Sequence, residues 1–344
     1  MLHVGVEVGA QLFRSLPRDL AHALGSLVHR VPLEKLPEHA ALDHGLRHCV
    51  LAAYQAPTAV RVPRAWSRML GVSTYESMRV ERADGIAEVC LVGPGKGNAM
   101  GPAFFRELPE VFRSLDRDDA VRAIIVRGDK GIFTYGLDLK SMAGDLMPHL
   151  APGNLANERA KLLELIIDLQ RGFDAVEQCK KPVIAAVAGP CIGGGVDLIA
   201  ACDIRIASRD VKFSVREVKI AIVADMGSLA RLPRIIGQGH TRELAFTGKD
   251  IDAARALRIG LVNDVYDDEA KLLEAARALA REIADNSAVV VQGVKQVLAF
   301  GEGGKVADAK RFVAVWNSAF LASNDLTEAI QAFMERRPPK FAGR

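Results

Sequence analysis

Apolar and polar residues alternate through two runs, 78–83 (MRVERA) and 86–91 (IAEVCL), either side of Asp84-Gly85. That spacing predicts a β-hairpin, because side chains two apart share a face and Asp-Gly suits a tight turn. From Pro102 the period lengthens. Phe104, Phe105, Leu108, Val111 and Phe112 recur at helical steps and predict a helix over 102–114 that begins on its proline. The run 123–127 (AIIVR) has the length of a buried strand. Residues 132–142 predict a strand running into a loop, with Gly136 allowing a turn that presents the N–H of Leu137. After a Pro/Gly-broken connection at 148–153, Leu162, Leu165, Ile166, Leu169, Phe173 and Val176 predict a long helix over 154–179. Further on, the pattern gives helices at 239–247, 252–257, 269–285, 289–298 and 307–322, and a strand ending at Val265-Tyr266. A last helix, 326–336, is expected to be capped by Asp325, with Glu328 completing a capping box.

Between Lys181 and Arg234 the texture changes several times in quick succession. Val183 to Val187 fills a buried strand, Gly189-Pro190 breaks it, and Gly193-Gly194-Gly195 opens an apolar segment, 196–202, that reads as a buried helix. Strand, glycine turn and helix together aim free backbone N–H groups, and the positive end of the helix dipole, at one point. Consecutive glycines let a ligand approach that backbone closely. Three carboxyl groups follow: Asp197 in the first helical turn, then Glu217 and Asp225. Donors beside several carboxyls are what enolate chemistry requires. Each acid also has a structural reading. Asp197 suits a helix start, and Glu217 a strand end paired with Arg216 or Lys219. Asp225 is hardest to place that way, because Val223, Ala224 and Met226 are apolar and a lone charge among them is costly. Asp203 is expected to serve the helix-to-strand turn, with Arg205.

At 344 residues the chain can bury a large core. We divide it into an N-terminal extension (1–74), a core (75–268) and a helical C-terminal region (269–344). The extension carries six of the eight histidines and two amphipathic stretches, 16–28 and 40–53. His44 and His48 stand four apart, with His39 and Cys49 near, but no matching second pair of ligands follows and no metal site is expected. The net charge is +3, and residues 1–75 hold eight Lys/Arg against five Asp/Glu, so the remainder is neutral. A neutral body carries no nucleic-acid footprint. Five widely spaced cysteines without a CxxC fit a reducing cytoplasm. No apolar run is long enough to span a membrane. Neither a signal-peptide pattern nor a peroxisomal terminus is read at the ends. The expectation is a cytoplasmic protein.

Three blocks resemble the enoyl-CoA hydratase/isomerase (crotonase) superfamily: Lys96–Met100 (KGNAM), Phe133–Leu139 (FTYGLDL), and the run CIGGGVDL…CDIRIAS…REV…AD.G…RLPR. The similarity covers residues 76–344. It implies an α/β fold, a spiral of ββα units with a C-terminal helical trimerisation region, and homotrimers that pair into homohexamers. By position it implies an oxyanion hole from the N–H groups of Leu137 and Gly194. The implied substrate-binding residues are Tyr135, Gly136, Asp138, Leu139 and Lys140, with Gly193 and Gly195. Asp197, Glu217 and Asp225 together most resemble the Δ3,5-Δ2,4-dienoyl-CoA isomerases of unsaturated fatty-acid β-oxidation. In that reading Glu217 is the base at C2 and Asp225 the acid at C6, while Asp197 accepts a hydrogen bond, tunes its neighbours or assists proton transfer. No cofactor is implied beyond the CoA of the acyl-CoA substrate. Lys96 and Lys140 are candidates for the CoA phosphates.

Some positions depart from the isomerase pattern. Lys219 and Ala221 stand where an acidic residue and a glycine are usual, and Gly93 stands before Pro94 where Asn or Arg is usual. The alternative activity is hydration of a 2-enoyl thioester, which needs only Asp197 and Glu217. A non-catalytic or RNA-binding relative is the outside alternative, and the neutral body counts against it.

Overall fold

The structure, a computed structural model, describes residues 72–93, 97–150 and 155–343. The expected helices at 16–28 and 40–53, the His39/His44/His48 group and Lys96 lie outside the described residues.

The hairpin forms where the alternation placed it. Strands β2 (Met78–Ala83) and β3 (Ile86–Leu91) pair antiparallel, and Asp84 and Gly85 both take positive φ, as a tight primed turn demands. A short strand β1 (Val72–Thr74), not anticipated, adds to the outer edge of β2. Helix α1 (Pro102–Arg117) buries the apolar stripe read from the sequence. Strand β4 (Ala123–Gly128) then joins β3 in parallel. Helices α2 (Leu139–Leu150) and α3 (Ala156–Gln178) follow, then β5 (Val183–Val187), β6 (Pro190–Ile192), α4 (Gly194–Ala200), β7 (Ile204–Ser208) and β8 (Lys212–Ser214). The chain continues through a 3-10 turn at Glu217–Ile220, α5 (Ser228–Thr247), β9 (Ile251–Asp252), α6 (Ala253–Arg258) and β10 (Asp264–Tyr266). It closes with α7 (Glu269–Ala284), α8 (Ala288–Gly301), α9 (Val306–Phe320) and α10 (Asn324–Glu335).

The main sheet runs β1-β2-β3-β4-β5-β7-β10, parallel from β3 onward, and a small sheet runs β6-β8-β9. The central strands are buried on both faces, which is why they read as unbroken apolar runs. Ile124, Val126, Val183, Ala185 and Val187 face the main core with Leu108, Phe112 and Phe173. Ala123, Ile125, Ile184 and Ala186 face the other way, against Leu272, Ala276 and Ala280 of α7. Strand β5 leads through Gly189 and β6 directly into the glycine turn.

Three expectations need correction. Residues 132–142 form no strand: isolated bridges at Ile132, Thr134 and Leu137 lead directly into α2. The helix expected at 239–247 begins already at Ser228, with a break at Gly237. Pro233 and Gly237 disguised that earlier part as loop. At the last helix Ser323 is the cap, accepting the Leu326 N–H at 3.1 Å. Asp325 is buried and instead accepts the N–H groups of Ala342 and Gly343, while Glu328 pairs with Arg337. The chain's tail folds back over the helix and takes both carboxylates away from a capping box.

Candidate active site

Two turns meet where the sequence placed its donors. Gly193, at φ +55, turns the chain out of β6 into α4 and donates its own N–H to Ser214 O at 2.8 Å. Gly193 O collects the N–H of Val196 at 2.7 Å. The Gly194 N–H, at the first position of α4, has no partner among the described residues, as the first turn of a helix leaves it. Opposite, Gly136 at φ +83 sets up a parallel bridge between Met100 and Leu137. Met100 N donates to Gly136 O at 2.8 Å and Asp138 N to Met100 O at 3.0 Å, which turns the intervening Leu137 N–H away from the bridge with no acceptor among the described residues. The turns abut: a Cβ on Gly136 would lie 2.6 Å from Ile192 O and 3.3 Å from Gly194 N.

Side chains from the neighbouring blocks lock this arrangement. Asn98 Nδ2 donates to Ile132 O at 2.6 Å, and Thr134 Oγ1 donates to Asn98 O at 2.7 Å while accepting the Gly136 N–H at 3.0 Å. Tyr135 N donates to Gly97 O at 3.0 Å, and the half-exposed Tyr135 ring covers Gly97 so closely that a Cβ there would overlap it. Gly195 packs against Thr134 and Cys191, where no side chain would fit. Leu139 and Lys140 are exposed at the start of α2. Asp138, expected among the substrate contacts, is otherwise engaged. Its Oδ1 accepts the N–H groups of Lys140 and Ser141 at 3.1 Å each, and those bonds lower its pKa. It opens α2 as a capping carboxylate.

The three acids differ in surroundings. Asp197 is 1% exposed and accepts the Ser228 N–H at 2.6 Å, which ties α4 to the start of α5. Burial pushes its carboxyl up to about 6, against the Ser228 bond. Glu217 is half-buried at the head of the 3-10 turn. Its Oε2 has no hydrogen-bond partner, and its Oε1 lies 3.1 Å from where a Gly193 Cβ would be. Burial, then the charge of Asp197, raise it to about 7. Arg216, a partner considered for it, pairs with Asp250 instead. Asp225 is half-buried, and burial raises its pKa. Its neighbour Val223 points outward and Ala224 inward. Asp203 does serve the helix-to-strand turn, accepting the Val183 N–H, but its ion partner is Lys295 rather than Arg205.

Chemically, two N–H donors left without partners on abutting turns would suit an oxygen that gains negative charge, and a raised, unpartnered carboxyl packed against Gly193 would suit proton removal near neutral pH. The family profile described as "Enoyl-CoA hydratase/isomerase" matches residues 81–344. The chain belongs to the enoyl-CoA hydratase/isomerase family. Among relatives, the mitochondrial Delta(3,5)-Delta(2,4)-dienoyl-CoA isomerase of Dictyostelium discoideum is 41% identical, over 79% of this chain and 94% of its own. The peroxisomal Delta(3,5)-Delta(2,4)-dienoyl-CoA isomerase of Arabidopsis thaliana is 39% identical, over 80% and 99%. A crystal structure of enoyl-CoA hydratase from Bacillus anthracis superposes with a TM-score of 0.70 at 28% identity, covering 78% of this chain and all of that one. The fold is the α/β crotonase fold of this family.

These relatives overturn the cytoplasmic expectation, since those named with a compartment are mitochondrial or peroxisomal. Cysteine usage was a poor guide for a physical reason. Cys90, Cys179, Cys191 and Cys202 are all buried, and burial pushes Cys90 and Cys179 up to about 11 and Cys202 to about 12. Thiols held protonated away from solvent are inert in any compartment.

Proposed function

We propose that this protein isomerises 3,5-dienoyl-CoA to 2,4-dienoyl-CoA, the activity for which relatives 41% and 39% identical over most of the chain are named. The observation that carries this reading is a third carboxyl, Asp225, on the same segment as Glu217 and raised by burial. The thioester oxygen sits on the N–H groups of Leu137 and Gly194. Glu217, packed against Gly193 beside that oxygen, faces C2 and removes its proton. The electron pair then passes along the diene: a C2–C3 double bond forms, the C3–C4 double bond moves to C4–C5, and the C5–C6 double bond opens to take a proton from Asp225 at C6. Glu217 ends protonated and Asp225 ionised. Burial raises both carboxyls, and the step requires Glu217 ionised and Asp225 protonated when the acyl chain is bound.

Tyr135, Leu139 and Lys140 line the approach to the donors, with Lys140 toward the CoA phosphates. No step calls for a redox cofactor or a metal, because both protons travel between carbon and carboxyl. Hydration of 2-enoyl-CoA is the second reading, favoured by Asp197 and Glu217 alone, and Asp225 has no task in it. The assembly we propose is a homotrimer or homohexamer built through the C-terminal helices, where Val294, Leu298 and Phe333 are 54%, 67% and 82% exposed. Apolar side chains bared in series along helices call for a protein neighbour. Among the described residues no helix is long and apolar enough to cross a membrane.

A spectrophotometric assay with 3,5-dienoyl-CoA and 2-enoyl-CoA side by side tests the reading. Conjugation of the diene with the thioester should appear rapidly, and hydration should be slow or undetectable. Turnover of 2-enoyl-CoA alone would overturn it.

A further inference from the structure

The segment that carries Asp225 has no secondary structure of its own, yet two side chains from different helices hold consecutive carbonyls of it. Gln170 Nε2, on α3, donates to Asp225 O at 2.6 Å. Arg231 Nη1, one turn into α5, donates to Met226 O at 3.3 Å. Arg231 is itself 8% exposed and anchored through Nη2 to Asp174 Oδ1 at 2.8 Å and Glu177 Oε2 at 2.6 Å. Its Nη1 end crowds Gly227, where a Cβ would come within 1.8 Å of Nη1. Gln170, Asp174 and Glu177 stand at i, i+4 and i+7, so one face of α3 presents all three. They line a cleft of about 410 Å³ beside Asp225, with Arg234 at its mouth.

We infer that Gln170 and Arg231 form a clamp that positions Asp225 for proton delivery at C6, with Arg231 locked in place by Asp174 and Glu177. The inference rests on the isomerase reading. A catalytic carboxyl on an unsupported segment needs its backbone fixed to act at one carbon, and a misplacement of about 1 Å costs on the order of 100-fold in rate. Glu217 is held separately, in its own 3-10 turn, and shares neither contact. The clamp therefore serves one end of the proton transfer and not the other, which separates it from a general contribution to stability.

The test compares the wild type with Gln170→Met, Arg231→Met, Arg231→Lys and Arg234→Gln on 3,5-dienoyl-CoA in deuterated solvent, reading kcat, KM, deuterium at C2 and deuterium at C6. Gln170→Met keeps the length and loses the donor. It should lower kcat roughly 10- to 100-fold with KM within about threefold, while C2–H exchange by Glu217 continues and C6 labelling falls. Arg231→Met should do the same, and Arg231→Lys should recover part of the rate. Arg234→Gln, which lines the cleft but touches neither carbonyl, should match the wild type. If Gln170→Met keeps wild-type kcat, or if C2 exchange and C6 labelling fall together in the folded variants, the clamp is wrong. Absence of diene turnover in the wild type would instead remove the isomerase reading itself.

Discussion

Asp197, almost without solvent contact and raised to about 6, costs the fold stability whenever it is ionised. Its folded-state pKa lies above the unfolded value near 3.8. The native state therefore holds the extra proton between those values, and stability falls as pH rises from about 4 to about 6 and then levels off. Asp197→Asn keeps an acceptor for the Ser228 N–H and removes the buried charge. It should stabilise the protein at pH 7 by roughly 1–3 kcal/mol and flatten the Tm profile across that window. An Asn variant that is less stable at pH 7 would mean that Asp197 is held by partners that favour its charge. Glu217 carries a matching kinetic signature. As the base it works only when ionised, so kcat/KM should fall as pH drops below about 7, and Glu217→Gln should lose that activity. A kcat/KM profile flat from pH 5 to 8 would take Glu217 out of the base role.

At the scale of elements, the donors depend on glycines that no other residue replaces. Gly136→Ala drives a methyl to 2.6 Å from Ile192 O at a positive φ, so the turns carrying Leu137 and Gly194 must part. Losing one oxyanion donor costs about 3–4 kcal/mol, and kcat should fall on the order of 100- to 1000-fold with the fold retained. Ala221 poses the reverse case. It closes the 3-10 turn at φ +59, a left-handed position that disfavours a Cβ, and here a glycine relieves strain. Ala221→Gly should leave Tm unchanged or slightly higher, and a clear drop would show that the alanine methyl packs on something essential.

The sequence made the alternation of β2 and β3, the stripes of α1 and α3, and the Gly193–Gly195 turn legible, because each is a local pattern with a local cause. What it concealed was long-range. Residues 132–142 looked like a strand because Phe133 and Met142 are buried at the spacing of an apolar run, and the capping role of Asp138 was hidden because nothing local revealed that a helix starts after it. Gln170, Asp174 and Glu177 were visible as polar positions on α3, but their targets, the Asp225 carbonyl 55 residues on and Arg231 of α5, were not.

For the molecule as a whole, the main sheet supplies rigidity and the loops leaving its strand ends supply chemistry. The apolar faces of α8, α9 and α10 belong to the same logic one level up. For the proposed oligomer built through these helices, Phe333→Asp should lower the mass seen in sedimentation or light scattering, and an unchanged mass would place the interface elsewhere. The central claim, that Asp225 delivers the proton that completes diene isomerisation, is tested most directly by the steady-state kinetics of Asp225→Asn on 3,5-dienoyl-CoA. The account predicts a kcat roughly 100- to 10,000-fold lower with KM nearly unchanged; a variant that turns over at the wild-type rate would contradict it.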